Sequence, residues 1–323
     1  VGGYSSLTLG SPAVFAVLLP LAVLCCVLAG RLPHVPAARR GVRLHFDWLG
    51  LVLFVAMVAA ALIGLDRARR LDPALLPFAG GLGLLALAAG ALLLRVERAA
   101  RDPLLPLGLF ADPSIWRAYA LSACVVGAQV GMISFLPGWL QTVRGLAPGP
   151  SGLMLLAMSA GGVSGAFFAG RMAAKTGHAM RWPSIFLPVG AAIWAGLAVV
   201  APGLPLALLP PLLAMVAFCT GTSFPMVQVT AQAAAGRESL GSASAGVAFS
   251  RNIGAATGTA LVAAVVFAAL TLTGPATTPA FQRLVAEGAG FVSTRPPEAA
   301  AALRADLIEA FRMLFVSAAM LMA

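Results

Sequence analysis

Stretches of about twenty apolar residues alternate with short polar or basic joints along nearly the whole chain. Pro12–Gly30, Asp47–Leu65, Leu75–Leu94, Trp116–Leu140, Gly152–Gly170, Pro183–Val200, Leu204–Val229 and Gly241–Leu270 are each long enough to cross a bilayer as a helix. A ninth apolar run starts near Leu307 and reaches the last residue, Ala323. Lipid offers no partner to an open backbone, so the pattern predicts nine helices, eight complete and one cut short, and no sheet. Asp47 is placed to cap the second helix. The second and third spans carry no polar residue at mid-span and are expected to pack peripherally. In Leu136-Pro137-Gly138-Trp139 the proline is expected to kink or end the fourth helix, with Trp139 at the interface. From Thr271 to about Asp306 the chain is mixed in character and too polar to span. The sequence opens on Val1 rather than Met, carries no signal peptide and stops inside an apolar run. It therefore reads as part of a longer gene product.

Small residues supply the second pattern. In Gly241–Leu270, Ser242, Gly246, Ser250, Gly254 and Gly258 recur at every fourth position, a ridge along which another helix can approach closely. Gly161 and Gly165 repeat the spacing in the fifth span, and Gly127 and Gly131 flank Gln129 in the fourth. Beside the ridge stand Arg251 and Asn252. Arg251 lies well inside an apolar span, two to three turns from its inner end. It has two readings: a cavity-facing cation that ties helices together or meets an anion, or a side chain that snorkels to the interface.

Composition agrees with the pattern. Of 323 residues 60% are hydrophobic and 10% charged, and the mean hydropathy is +0.95, values of the membrane class. A net charge of +10 is scattered through short joints with no basic helix or aromatic-interleaved patch, which argues against nucleic acid as a partner. Twelve Lys and Arg residues fall in the joints on one side, among them Arg31, Arg117, Arg171, Lys175, Arg181 and Arg237. Seven fall on the other, among them Arg67, Arg144 and Arg304. The richer side is the expected cytoplasmic one. Cys25, Cys26, Cys124 and Cys219 sit in apolar spans without metal spacing, and His34, His45 and His178 are scattered in loops. Neither a metal site nor a cofactor is expected, and no phosphate-binding loop is present. No obligate protein partner is evident.

The runs HFDWLGLVLF, DPLLPLGLF, FLPGWLQTVRGLAPGPSGLMLL, GRMAAKTG and GSASAGVAFSRNIGAATGTAL, in that order, resemble the fourteen-helix drug/proton antiporter family of the major facilitator superfamily. Val1-Gly2-Gly3 resembles the tail of that family's antiporter motif in helix five. The resemblance implies an all-α polytopic membrane protein. Residues 1–110 would hold the end of helix five, helix six and two extra central helices. Residues 111–323 would hold the C-terminal six-helix half, its last helix truncated. Gly170–His178 resembles the superfamily's cytoplasmic loop motif, with Gly170, Lys175 and Gly177 fitting the turn and Ala174 standing where an acid is usual.

The implied function is secondary active export by alternating access, driven by protons, of small lipophilic or amphipathic compounds across the cell membrane. None of the 11 acids lies at mid-span, so the proton carrier is expected in the other half of the protein. Gln129, Thr222, Gln228 and Asn252 are candidates for a polar substrate path, and Met132, Phe135, Phe224 and Phe249 for an adaptable apolar wall, with Arg251 beside them. Each taken singly also fits plain helix packing. The rival readings are a transport-inactive fragment and a membrane-embedded enzyme or interaction protein; the enzyme would need clustered His, Asp or Glu at one depth.

Overall fold

The computed structural model describes residues 18–31, 47–68, 76–99, 112–273 and 297–323. They form ten α-helices and two short 3-10 turns, with no strand among the described residues. Val1-Gly2-Gly3, the start of the first span, the basic joint at 32–46, the proline-rich joint at 100–111 and the polar loop at 274–296 lie outside them. The helices are α1 (Leu18–Gly30), α2 (Trp48–Ala68), α3 (Leu76–Ala99), α4 (Pro113–Thr142), α5 (Pro148–Thr176), α6 (Arg181–Val200), α7 (Leu209–Gly221), α8 (Ser223–Ala235), α9 (Leu240–Thr273) and α10 (Pro297–Met322). Six stretches are long and apolar enough to cross a membrane: Gly80–Arg98, Pro113–Thr142, Gly149–Thr176, Arg181–Val200, Leu206–Ala235 and Leu240–Leu270. Trp48–Ala61 is a shorter apolar stretch. The chain is a multi-pass, all-α membrane protein.

Several boundaries differ from the hydropathy reading, each for a local reason. Helix α4 begins at Pro113 because Asp112 accepts the Ser114 amide at 2.7 Å and proline suits the first turn. It then runs through Pro137 rather than ending there, because Leu136, Trp139 and Leu140 are fully buried and hold the outer turns in place. Helix α5 continues through the GRMAAKT segment, so Gly170 and Lys175 stand on its last two turns rather than in a loop. Gly177, at φ +72°, closes it with its amide on Ala173 O at 2.8 Å, a left-handed cap that glycine supplies most cheaply. Helix α10 starts ten residues before Leu307 because Pro297 opens a run of alanines with high helix propensity. Asp47 takes the expected place at the start of α2, accepting the Gly50 amide at 2.8 Å.

The helices from α4 onward form one bundle with an internal two-fold pattern. Consider α4, α5 and α6 as one triplet and the α7–α8 span, α9 and α10 as the other. Exchanging the triplets carries the extensive α4–α9 contact onto α5–α7, α4–α10 onto α6–α7, and α6–α10 onto itself. The two most extensive pairings are built alike. On α4–α9, a Cβ placed on Gly127 would come 2.8 Å from Gly254 O, and one on Gly131 would meet Val262 Cγ2 at 2.8 Å. On α5–α7, a Cβ on Gly161 would overlap the carbonyl of Ala214, and one on Gly165 that of Phe218. Backbone-to-backbone approach of this kind replaces the hydrophobic drive that lipid cannot provide.

Above these pairs a core gathers Val125, Met132, Trp139, Trp194, Phe311 and Phe315, with Trp139 edge-on to Phe315 at 5.4 Å. Helices α2 and α3 pack on each other and reach the bundle at α9, where Phe54 meets Phe249 at 4.7 Å between ring centroids.

Arg144, just past the end of α4, closes one end of the bundle. Its guanidinium donates to Ala201 O at 2.7 Å, Pro202 O at 2.8 Å and Leu204 O, carbonyls that the end of α6 leaves without helical donors. Arg144→Met is expected to lower the stability of the folded protein by about 2 kcal/mol, the value of charge-assisted hydrogen bonds. Arg144→Lys should fall between, because one ammonium cannot span three carbonyls. Thermal unfolding in detergent measures both; an Arg144→Met midpoint equal to that of the parent would show that the clamp contributes nothing.

Candidate functional site

The expected site residues separate into three groups once placed. Met132 and Thr222 are not available to a cavity. Met132 belongs to the stripe Val125-Ala128-Met132-Leu136-Trp139 and is 0% exposed; Thr222 is 0% exposed and donates to Cys219 O at 2.7 Å. Their helix faces are turned into the bundle, which corrects the expectation for both. Gln129, Phe135, Phe224, Gln228, Phe249 and Arg251 are half-buried, and Asn252 is exposed. Phe249 is occupied by Phe54 of α2.

The polar centre is the seam where α8 meets α9. Arg251 Nη2 donates to Phe224 O at 2.7 Å, and the guanidinium lies over the Phe224 ring at 5.3 Å from its centroid. Arg251 Nε is buried and has no hydrogen-bond partner, and neither has the hydroxyl of Ser223, the residue beside Phe224. Gln228 stands one turn further along α8, and lower still Gln232 Nε2 donates to Ser244 Oγ at 2.8 Å. The guanidinium thus ties α9 to α8 through a main-chain carbonyl, and it has no carboxylate partner among the described residues. Gln129 lies apart on α4, its Oε1 buried without a hydrogen bond.

The glycine ridge takes its place on the other side of α9. Gly254 and Gly258 face the backbone of Ala123 and Gly127, and Gly246 leaves room for the ring of Tyr119, whose hydroxyl donates to Ala243 O at 3.2 Å. Composition alone gave no pointer to Tyr119 or to Phe54. Pro225 follows Phe224, inside the stretch read from hydropathy as one unbroken span. Its missing N–H leaves Gly221 without the amide that normally binds its carbonyl, and the span divides into α7 and α8 there.

A separate cavity of about 520 Å³ lies among the ends of α4, α6, α8 and α10, lined by Arg117, Leu121, Met180, Leu187, Thr230 and Met322. None of the expected site residues lines it, and it opens beside Ala323, the last residue of the sequence.

Comparison with known proteins fits this architecture. The family profile described as Major Facilitator Superfamily matches residues 1–259. The chain is 31% identical over 204 residues to the drug efflux pump JefA of Mycobacterium tuberculosis, covering 62% of this chain and 38% of that protein. It is 27% identical to the tetracenomycin C resistance and export protein of Streptomyces glaucescens, over 60% of this chain and 36% of that one. To the tetracycline resistance determinant of Streptomyces rimosus it is 27% identical, over 64% of this chain and 61% of that one. The chain thus spans a little over a third of the length of JefA. Among solved structures, a bacterial homologue of the human lysosomal transporter Spinster, inward-facing and unoccupied, superposes with a TM-score of 0.53. That match covers 84% of this chain and 66% of the other at 14% identity, a likeness of fold. With the two-fold pairing of its helices and a family match over most of its length, the chain belongs to the Major Facilitator Superfamily.

Proposed function

We propose that the gene product carrying this chain is a secondary active exporter of small lipophilic or amphipathic compounds, driven by inward proton movement across the bacterial cell membrane. The observation that carries this is the two-fold helix pairing, in which exchanging the two triplets maps the main contacts between them onto one another. Such repeats let a transporter expose a midplane site to either side by rocking. The names of the relatives support export as the direction and drug-like molecules as cargo. This six-helix half contributes cavity wall, through Gln129, Phe135, Gln228 and Asn252. The protonatable carboxylate comes from the remaining helices of the gene product, since no acid of this sequence sits at mid-span.

The test is accumulation of ethidium and of tetracycline in efflux-deficient bacteria expressing the gene product. Lower accumulation than in vector controls, abolished by a protonophore, is the expected result. Accumulation equal to the control with both probes would favour the transport-inactive reading.

A further inference from the structure

One membrane span is held by different bonds in its two parts. Its outer part, α7, lies backbone against backbone on α5, through Gly161 on Ala214, Gly165 on Phe218 and Gly221 on Gly162. Its inner part, α8, packs on α4, keeps a smaller contact with α5, and is bonded to α9 by Arg251 to Phe224 O and by Gln232 to Ser244. Val227 and Ala231 of α8 also join a core cluster with Ile115, Ala118 and Tyr119 of α4 and Val247 of α9. Between the parts stand Gly221 and Pro225, where a backbone hydrogen bond is missing. A span whose parts are tied differently above and below a weakened turn can bend there while keeping the α7–α5 seam and the α8–α9 bonds.

We propose that Gly221–Pro225 is a hinge and that Arg251 is its positioning residue, the group that makes the inner half of the span follow α9 rather than α5. This rests on the transport reading for its consequence but not for its geometry. Arg251 suits the task because a single side chain grips both the carbonyl and the ring of Phe224, immediately beside the hinge. Gln232–Ser244, two turns lower, is a neutral bond nearer the end of the helix and cannot fix the direction of α8 at the bend. Arg251 positions a helix and need not touch substrate, so its loss alters how fast the protein changes state rather than how well it binds.

Two measurements on the full gene product test this. In the first, tetracycline flux is followed in vesicles. Arg251→Met is expected to lower the maximal rate about tenfold, the scale of one charge-assisted hydrogen bond, with the half-saturating concentration unchanged. Arg251→Lys, which keeps a donor, should recover most of the rate. In a Pro225→Ala background the helix regains its backbone bond, so Arg251→Met should have a smaller effect. Equal effects in both backgrounds, or a change confined to the half-saturating concentration, would overturn the hinge. The second measurement needs no transport. With native cysteines replaced, spin labels at Val229→Cys and Ala248→Cys, exposed positions on α8 and α9, should give one narrow distance distribution. Arg251→Met should broaden it, and adding Pro225→Ala should narrow it again. A distribution unmoved by Arg251→Met contradicts the proposal even if the parent carries no tetracycline, whereas absent flux with the expected distances sinks only the transport reading.

Discussion

Leucine at Gly254, Gly258, Gly161 or Gly165 is expected to abolish accumulation of folded protein in the membrane. At Gly161, Gly165, Gly254 and Gly258 even the first side-chain carbon would overlap backbone atoms of the facing helix, which cannot step aside as a flexible side chain can. Alanine at the same positions should already reduce the folded yield severalfold, because each added methyl pushes apart a pair whose stability comes from close contact. Gly196 provides the internal control. It lies on α6 with open space around it, so Gly196→Ala should be neutral or mildly stabilising through helix propensity alone. Detergent-solubilised yield by size-exclusion chromatography distinguishes the two sets. Wild-type yield from the Gly161→Leu and Gly254→Leu variants would show that neither pair is a tight contact. The two-fold pattern adds a sharper expectation: variants at α4–α9 and α5–α7 should lose yield to similar extents, since they disrupt equivalent seams.

The ridge on α9 was legible in the sequence because small residues at four-residue spacing have few uses in a membrane helix other than close approach. What the ridge touches was not legible, since Gly127 and Ala123 lie more than a hundred positions away along the chain. Met132 shows a signal present but outweighed: it sits in an i, i+3, i+4 stripe with Val125, Ala128, Leu136 and Trp139, the mark of a buried face. Its adaptable side chain would suit a cavity wall equally well. Thr222 was placed by its polarity, yet a threonine hydroxyl can satisfy itself on its own helix, and this one bonds Cys219 O.

Arg144 was counted only as loop charge. Its three carbonyl partners arise from the Pro-Gly turn between α6 and α7, 57 to 60 positions away, and main-chain acceptors are not announced by residue type. Arg251 stood out in the sequence, but its bond runs to the main-chain carbonyl of Phe224, a partner no residue type announces. Phe249, expected to face substrate, meets Phe54 instead, because α2 reaches α9 in a way hydropathy does not encode. Helix boundaries moved for similar reasons: caps and prolines such as Asp112–Pro113 and Pro297 set helix ends, and they are polar or neutral on a hydropathy scale.

The central claim is that this bundle is the cavity-forming half of a proton-driven exporter, with the proton carrier held elsewhere in the gene product. Export and its energy source are expected to stand or fall together, because rocking about a midplane site moves cargo outward only if a downhill ion returns through the same cycle. Everted membrane vesicles containing the gene product test this most directly, with tetracycline uptake and proton release from the lumen recorded together. An imposed gradient, acid inside, should drive uptake accompanied by proton efflux, and collapsing the gradient should stop both; residues 1–323 expressed alone should give neither. Uptake that persists without a gradient, or proton-coupled uptake by residues 1–323 alone, would contradict the account.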